Sequence, residues 1–156
     1  MSDLQNYDEY IKIGIAAGQI IFAAIGWNII SRGNDKREQR KELRALLNEI
    51  RMLTTQIETK VIEYYSLEPF KSREVAVQVK RLLKQVATLA TTVARYDHRY
   101  DVSQHVAELR MKATGGDFES AARQPTKDDD NLFNEIAAAG MQLIDELEST
   151  FARRYS

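Results

Sequence analysis

The chain has 156 residues, which is the size of one domain or of one domain with an appendage. It contains no cysteine, so disulfide bonds and thiolate metal sites are excluded. With 22 basic against 23 acidic side chains, the whole chain has no charge excess that favours nucleic acid or a membrane surface.

The first predicted element is a membrane-spanning helix. No residue from Ile13 to Ser31 is charged. At about 1.5 Å per residue, a helix of this length covers about 28 Å, close to the hydrocarbon thickness of a bilayer. Two alternatives stay open: a buried helix of a soluble domain, because Gln19 and Asn28 lower the hydropathy, and a secretory signal peptide, although the leader is acidic and no A-x-A site follows.

The charges on either side predict the orientation of this span. Acidic residues dominate before it and basic residues after it. They are Asp3, Asp8 and Glu9 on the first side, and Arg32, Lys36, Arg37, Arg40, Lys41 and Arg44 on the second. By the positive-inside rule, we expect a single-pass protein whose amino terminus lies outside and whose residues after Arg32 lie in the cytosol. Gly14 and Gly18 form one GxxxG pattern, which favours contact between spans.

Residues 32–156 form the second predicted domain, a cytosolic α-helical bundle that follows the membrane domain, residues 1–31. In the segment 41–67, apolar residues recur every three or four positions, as on one face of a helix. Pro69 ends this helix because it restricts Glu68 to non-helical backbone angles. No segment alternates at period two over a useful length, so the predicted fold class is all-α.

Three more helices are predicted in this domain. One begins near Ser72 and has a heptad-like apolar seam: Val75, Val79, Leu82, Val86, Leu89, Val93 and Tyr96. The next runs from Val102 to about Lys112, and the last begins after the TKDDD segment, 126–130. The seam packs either inside the chain or against a second copy. Together with the small residues of the span, it favours a homo-oligomer.

The sequence contains few residues that could carry catalysis. It has no H-E-x-x-H, P-loop or G-x-S-x-G motif, so we expect neither an enzyme nor a cofactor. Asp101 and His105 are four positions apart, which suits two metal ligands on one helical turn. The preferred alternative makes Asp101 the N-cap of the third helix, with Gln104 as its capping-box partner, and leaves no metal site.

Basic charge concentrates on the second helix. Lys80, Lys84 and Arg95 lie on one stripe, with two threonines between them. Like charges on one face repel each other unless an anion meets them. Either acidic residues of the last helix neutralise the stripe, namely Asp145, Glu146 and Glu148, or a small phosphate-bearing ligand binds it. The balanced charge of the whole domain argues against long nucleic acid.

The segment after the third helix adds three expectations. Thr114, Gly115 and Gly116 either end that helix or offer backbone N–H groups to a phosphate. Arg123 belongs to a surface loop. Tyr96 and Tyr100 could stack on a base, although Tyr96 also continues the apolar seam and is expected in the core.

In layout and size, the whole chain resembles the small membrane effectors of type III CRISPR systems. The resemblance rests on the span IGIAAGQIIFAAIGWNII, the basic segment RGNDKREQRKELR that follows it, and the basic and aromatic stretch VARYDHRY, and on no short diagnostic motif. It implies an antiviral defence effector that is activated by cyclic tetra-adenylate. The ligand would be bound by a tetramer of the cytosolic domain, and the span would perturb the inner membrane.

A fourfold assembly would present the same cation to each phosphate of this ligand. The expected phosphate contacts are Lys80, Arg81, Lys84, Arg95 and Arg99, with His98 and Tyr100 near the bases. Gly33 and Asn34 interrupt the helical pattern and are the expected hinge towards the span. Two alternatives lack a nucleotide ligand: a membrane-anchored helical scaffold and a holin-like or exclusion protein. A nucleotide-cleaving enzyme is a third.

Overall fold

The structure is a computed structural model that describes residues 36–126 and 130–155. The predicted span, its orientation, its GxxxG pattern and the hinge at Gly33 and Asn34 lie outside these residues, as does the predicted domain boundary after residue 31. Within the described ranges, no helix is both long enough and apolar enough to cross a membrane.

Every regular element in the described part of the chain is helical, which confirms the all-α prediction for that part. Helix α1 covers residues 36–66. It is followed by α2 (Arg73–Tyr96), a 3₁₀ turn (His98–Tyr100), α3 (Ser103–Thr114) and α4 (Asp130–Tyr155). The compact unit with the hydrophobic core is Leu43–Ser156.

The break between α1 and α2 lies at Pro69, where the sequence predicts that the first helix of the domain ends. The Leu67 N–H still reaches the Tyr64 carbonyl at 3.4 Å, but the chain then leaves the helix. The N–H groups of Lys71 and Ser72 donate to the Glu68 carbonyl at 2.9 and 3.0 Å and start the next turn. Pro69 therefore lies in the break between the two helices, as predicted.

The apolar seam of α2 packs inside the chain. Its four valines, Val75, Val79, Val86 and Val93, are buried, and Leu82 and Leu89 are partly buried against the same core. Tyr96, at the end of the seam, is 50 % exposed, so its prediction as a core residue is wrong. Tyr96 is the last residue of α2 and the chain leaves the helix at Asp97, so the buried part of the seam ends at Val93.

Helices α1 and α4 approach each other closely at Gly140, which is buried. A β-carbon there would lie 2.8 Å from Cγ2 of Thr54 and 2.7 Å from Oε1 of Glu58. Helix α3 in turn contacts both α2 and α4. The candidate site lies where α2 and α3 meet.

Candidate anion-binding groove

A groove runs between α2 and α3. Two cavities of about 740 and about 470 Å³ lie along it. Both are lined by Ala87 of α2 and by Ser103 and Val106 of α3, so the two cavities adjoin each other at these residues. The small alanine at the midpoint leaves the floor open and keeps the long side chains at the edges.

The basic stripe of α2 borders this groove. Lys80 and Lys84 line the larger cavity, and Arg95 and His98 line the smaller one. All four residues are exposed at the surface. The helical spacing that suggested a stripe thus corresponds to one edge of a groove, with four of the seven candidate ligand contacts on it.

Helix α3 adds a cation that the sequence reasoning missed. Arg110 is exposed and lines the larger cavity opposite Lys80 and Lys84. Its signal in the sequence is the spacing Val106, Arg110, Thr114, which places it on the groove face of α3. This spacing alone does not identify a binding site, because the sequence does not show that this face of α3 meets α2.

One basic side chain of the groove forms an ion pair with a carboxylate of the chain, and others do not. Lys80 Nζ lies 2.7 Å from Oε1 of Glu119. Among the described residues, the side chains of Lys84, Arg95 and Arg110 have no ion pair with a carboxylate.

Asp101 lines the smaller cavity, at the start of α3. It accepts the Ser103 N–H at 3.0 Å, and this hydrogen bond lowers the pKa of its carboxyl group. Asp101 therefore accepts an N–H of the first turn of α3. The N-cap residue of this helix is Val102, however, so the prediction of Asp101 as the N-cap is wrong by one residue.

The acidic residues of α4 pair elsewhere. Glu148 contacts Arg44 at 2.5 Å and Arg51 at 2.6 Å, both on α1. Glu146 pairs with Arg153 of its own helix at 3.1 Å. Within the residues that the structure describes, these two carboxylates therefore do not neutralise the α2 stripe, contrary to one of the two readings of that stripe.

Arg81 lies apart from the groove. It lines a separate cavity of about 330 Å³ between α1 and α2, together with Thr59 and Leu82. One residue further along a helix is a rotation of about 100°, so a neighbour of Lys80 faces another direction. Arg81 therefore does not share a ligand site with Lys80 and Lys84 within one chain.

Arg99 is engaged in a local cluster around Asp97. The Asp97 carboxylate lies 2.7 Å from Nη2 of Arg99 and 3.0 Å from Nη1 of Arg154 on α4. It also accepts the backbone N–H of Arg99 at 3.0 Å, which starts the 3₁₀ turn. The side-chain hydrogen bond from Arg99 is the main reason that the pKa of Asp97 falls from 3.8 to about 2.

Tyr100 is in the core. Its exposed fraction is 0 %, whereas Tyr96 on the preceding helix is 50 % exposed. The extended backbone of Asp97 (φ −158°, ψ 118°) and the 3₁₀ turn after it carry the Tyr100 ring inwards. Because no face of this ring is exposed, Tyr100 is not available to stack on a base.

Arg123 is also buried, at 4 % exposure, and its prediction as a surface-loop residue is wrong. Its guanidinium donates to the carbonyls of Tyr65 at 3.1 Å and Leu67 at 2.7 Å, and to Oγ of Ser72 at 3.0 Å. It also lies over the Tyr64 ring, 4.5 Å from its centroid. Arg123 therefore fixes the segment after α3 to the end of α1.

The other residues singled out in the sequence have local roles. Thr114 is the last residue of α3, and Gly116 has a left-handed backbone (φ 56°), so this segment ends the helix. A β-carbon on Gly115 would lie 2.5 Å from the Met111 carbonyl oxygen. In the described ranges, no three His, Cys, Asp or Glu side chains cluster as metal ligands.

Comparisons of the chain with protein families, with curated proteins and with solved structures give no match. The fold and the site define an all-α domain with a groove that is bordered by basic side chains on two helices.

Proposed function

We propose that this chain is a membrane-anchored effector whose cytosolic helical domain binds a cyclic oligoadenylate, cyclic tetra-adenylate in the first instance. In this proposal the ligand lies in the α2–α3 groove. The uncharged segment Ile13–Ser31 is the single span in a bacterial inner membrane, with the amino terminus outside. The protein acts in antiviral defence by perturbing that membrane, and it does not catalyse a reaction on its ligand.

The observation that supports this proposal is the set of cations around the groove. Lys84 and Arg95 on α2 face the same cleft as Arg110 on α3, and none of the three is paired with a described carboxylate. Exposed like charges on one cleft repel each other, and a polyanion relieves this repulsion. A hydrogen bond to a charged group contributes about 1.5–3 kcal/mol, so these three cations together contribute roughly 4.5–9 kcal/mol before the cost of ordering the ligand is subtracted, and an oligomer repeats the contacts.

The shape of the groove suits a nucleotide better than inorganic phosphate alone. Its floor is made of small and apolar side chains, including Ala87, Val106 and Phe118. Cations at the edges and an apolar floor match phosphates that flank a flat base. A homo-tetramer would repeat this arrangement four times around a cyclic ligand with four equivalent phosphates, which is why we propose that oligomer.

The proposed output is a shift between two arrangements of the subunits. A ligand that binds one arrangement more tightly increases its population by the difference in binding free energy. Helix α1 follows the proposed span directly in sequence, so a change in the cytosolic assembly reaches the membrane through residues 32–35. Gln19 and Asn28 then provide polar groups within the span that favour water entry.

The test is ligand binding by the full chain in detergent. Cyclic di-, tri-, tetra- and hexa-adenylate are titrated by calorimetry, and molar mass is followed by light scattering. We expect selective binding of cyclic tetra-adenylate by a tetramer, and an affinity reduced about 100-fold in K84A/R95A. The control variant K60A/R153A also loses two cations, but these lie outside the groove and pair with Glu63 and Glu146. It should bind as the wild type does.

Three results would contradict the proposal. The first is that no cyclic oligoadenylate binds, which favours a helical scaffold or a holin-like protein. The second is an unchanged affinity in K84A/R95A. The third is cleavage of the bound nucleotide, seen by chromatography of the products. In vesicles that contain the full chain, ion leakage should depend on the ligand, and a bilayer that stays tight at saturating ligand excludes the proposed output.

A further inference from the structure

The groove contains a carboxylate that belongs to the chain itself. Glu119 follows α3 and lines the larger cavity together with Lys80 and Lys84. Its Oε1 atom lies 2.7 Å from Nζ of Lys80. A phosphate oxygen that binds this ammonium group requires the same distance. The carboxylate therefore occupies the position in which a ligand phosphate would contact Lys80.

The backbone holds Glu119 at this place. Its φ angle is +64°, the left-handed region that residues with a β-carbon rarely adopt. The Glu119 N–H donates to Oη of the buried Tyr64 at 2.7 Å. The ring of Phe118 packs on Tyr64 with centroids 4.5 Å apart. Two consecutive residues are thus fixed to α1, which keeps the Glu119 side chain at the groove in spite of an unfavourable backbone angle.

The Glu119 side chain can exchange its contact with Lys80 for a contact with water. The side chains of Lys80 and Glu119 are 49 % and 53 % exposed, so water can replace either partner. An ion pair of this exposure adds little net stability to a fold. Rotation of the Glu119 side chain breaks the pair without moving the anchored backbone. Loss of this contact is therefore a small and reversible change.

We propose that Glu119 is an internal competitor that sets the affinity of the groove for anions. The ligand binds by displacing the Glu119 carboxylate from Lys80, and the released carboxylate stays close enough to repel the bound phosphate. This inference rests on the proposal that the groove binds a phosphate-bearing ligand. It goes further in assigning an affinity-determining role to an acidic residue in a basic site.

The test uses inorganic tripolyphosphate, which probes the anion site independently of any base. Its affinity for the full chain is measured by calorimetry at low salt for the wild type, E119Q and E119A. We expect both variants to bind about two- to fivefold more tightly, because the cost of breaking an exposed ion pair is absent. The variant E49Q removes the same charge from α1, which does not line the groove, and should bind as the wild type does.

A double-mutant cycle tests whether Glu119 acts through Lys80. In the K80M background, E119Q should no longer raise the affinity by the same factor, since the competing pair is already gone. The gain should also shrink at high salt, which screens exposed charges. Circular dichroism and the melting temperature of each variant establish that the fold is retained.

The possible results separate this inference from the proposed function. Equal or weaker tripolyphosphate binding by E119Q and E119A overturns the inference, and so does a full gain that persists in K80M. Absence of tripolyphosphate binding in every variant overturns it as well. A gain with tripolyphosphate, combined with no binding of any cyclic oligoadenylate, supports the competitor role and rejects the proposed ligand.

Discussion

Arg123 donates a hydrogen bond from Nη2 to the carbonyl oxygen of Leu67, 56 residues earlier in the chain, at 2.7 Å. Leu67 follows the last residue of α1, where backbone carbonyls lack partners within the helix. The guanidinium also binds the Tyr65 carbonyl, and the described residues give it no carboxylate partner. Its charge is balanced by the negative end of the α1 dipole and by the face of the Tyr64 ring.

Replacement of Arg123 by alanine should therefore destabilise the domain. The R123A variant leaves two carbonyls and Ser72 Oγ buried without this donor. We expect the free energy of unfolding to fall by about 2–4 kcal/mol. R123K keeps the charge but cannot reach all three acceptors with one ammonium group, so its loss should be smaller. Urea unfolding followed by circular dichroism measures both, and equal stability of R123A and the wild type would contradict this role.

Asp97 predicts a dependence of stability on pH. The pKa of its carboxyl group falls from 3.8 to about 2 in the folded chain, first through the hydrogen bond from Arg99 and then through other contacts that include Arg154. A depressed pKa means that the carboxylate stabilises the fold above pH 3.8, and that this contribution is lost as the pH falls towards 2. Because Arg99 is exposed, we expect a contribution of about 1–2 kcal/mol at neutral pH.

The variant D97N isolates this contribution. It should be less stable than the wild type at pH 7, and the difference should decrease as the pH is lowered from 5 to 2. Thermal melts across this range measure the difference. The control variant E49Q removes an exposed carboxylate of α1 that has no ion pair within the described residues, so its difference from the wild type should stay small across this pH range. A D97N difference that is constant with pH would contradict the assignment.

Gly140 should not tolerate a methyl group. In G140A the new β-carbon lies 2.8 Å from Cγ2 of Thr54 and 2.7 Å from Oε1 of Glu58. The Glu58 carboxylate can move aside, but the buried Thr54 side chain is short and held by its hydrogen bond to the Ile50 carbonyl at 2.9 Å. We expect a net loss of about 1–2 kcal/mol, because crowding exceeds the gain in helix propensity.

A second substitution checks the cause of that loss. T54S removes Cγ2 and retains the hydroxyl group, so the double variant T54S/G140A should recover part of the stability that G140A loses. Denaturant unfolding of the two single variants and the double variant gives the coupling. If the losses in unfolding free energy of the two single variants simply add up in the double variant, the contact with Thr54 is not the cause of the destabilisation in G140A.

The helices were predictable because their signals are local. The period of apolar residues in α1 and α2 and the backbone restriction before Pro69 depend only on neighbours in sequence. The predicted third helix, Val102 to about Lys112, differs from the observed Ser103–Thr114 by one or two residues at each end. The hydrogen bond from the Ser103 N–H to Asp101 is likewise a contact over two residues, although the N-cap itself is Val102.

The site was less predictable because it depends on how the helices meet. Tyr96 and Tyr100 are both in one aromatic stretch, but the chain leaves the helix between them at Asp97, so the helical period does not predict which of them is buried. The burial of Arg123 follows from the end of a helix 56 residues away. The groove forms only where α2 meets α3. Arg110 of α3 lines this groove, whereas Arg81 lies on the face of α2 that meets α1.

Arg81 and Arg110 therefore allow a direct test of the groove against the sequence stripe. Both are exposed arginines without a described ion pair, so R81A and R110A make the same chemical change. If the ligand binds in the groove of one chain, R110A should weaken the binding of cyclic tetra-adenylate about tenfold, and R81A should leave it unchanged. Calorimetry at fixed salt measures both affinities. The reverse order would place the ligand on the α1–α2 face, and equal losses would indicate that it responds only to the net charge of the domain.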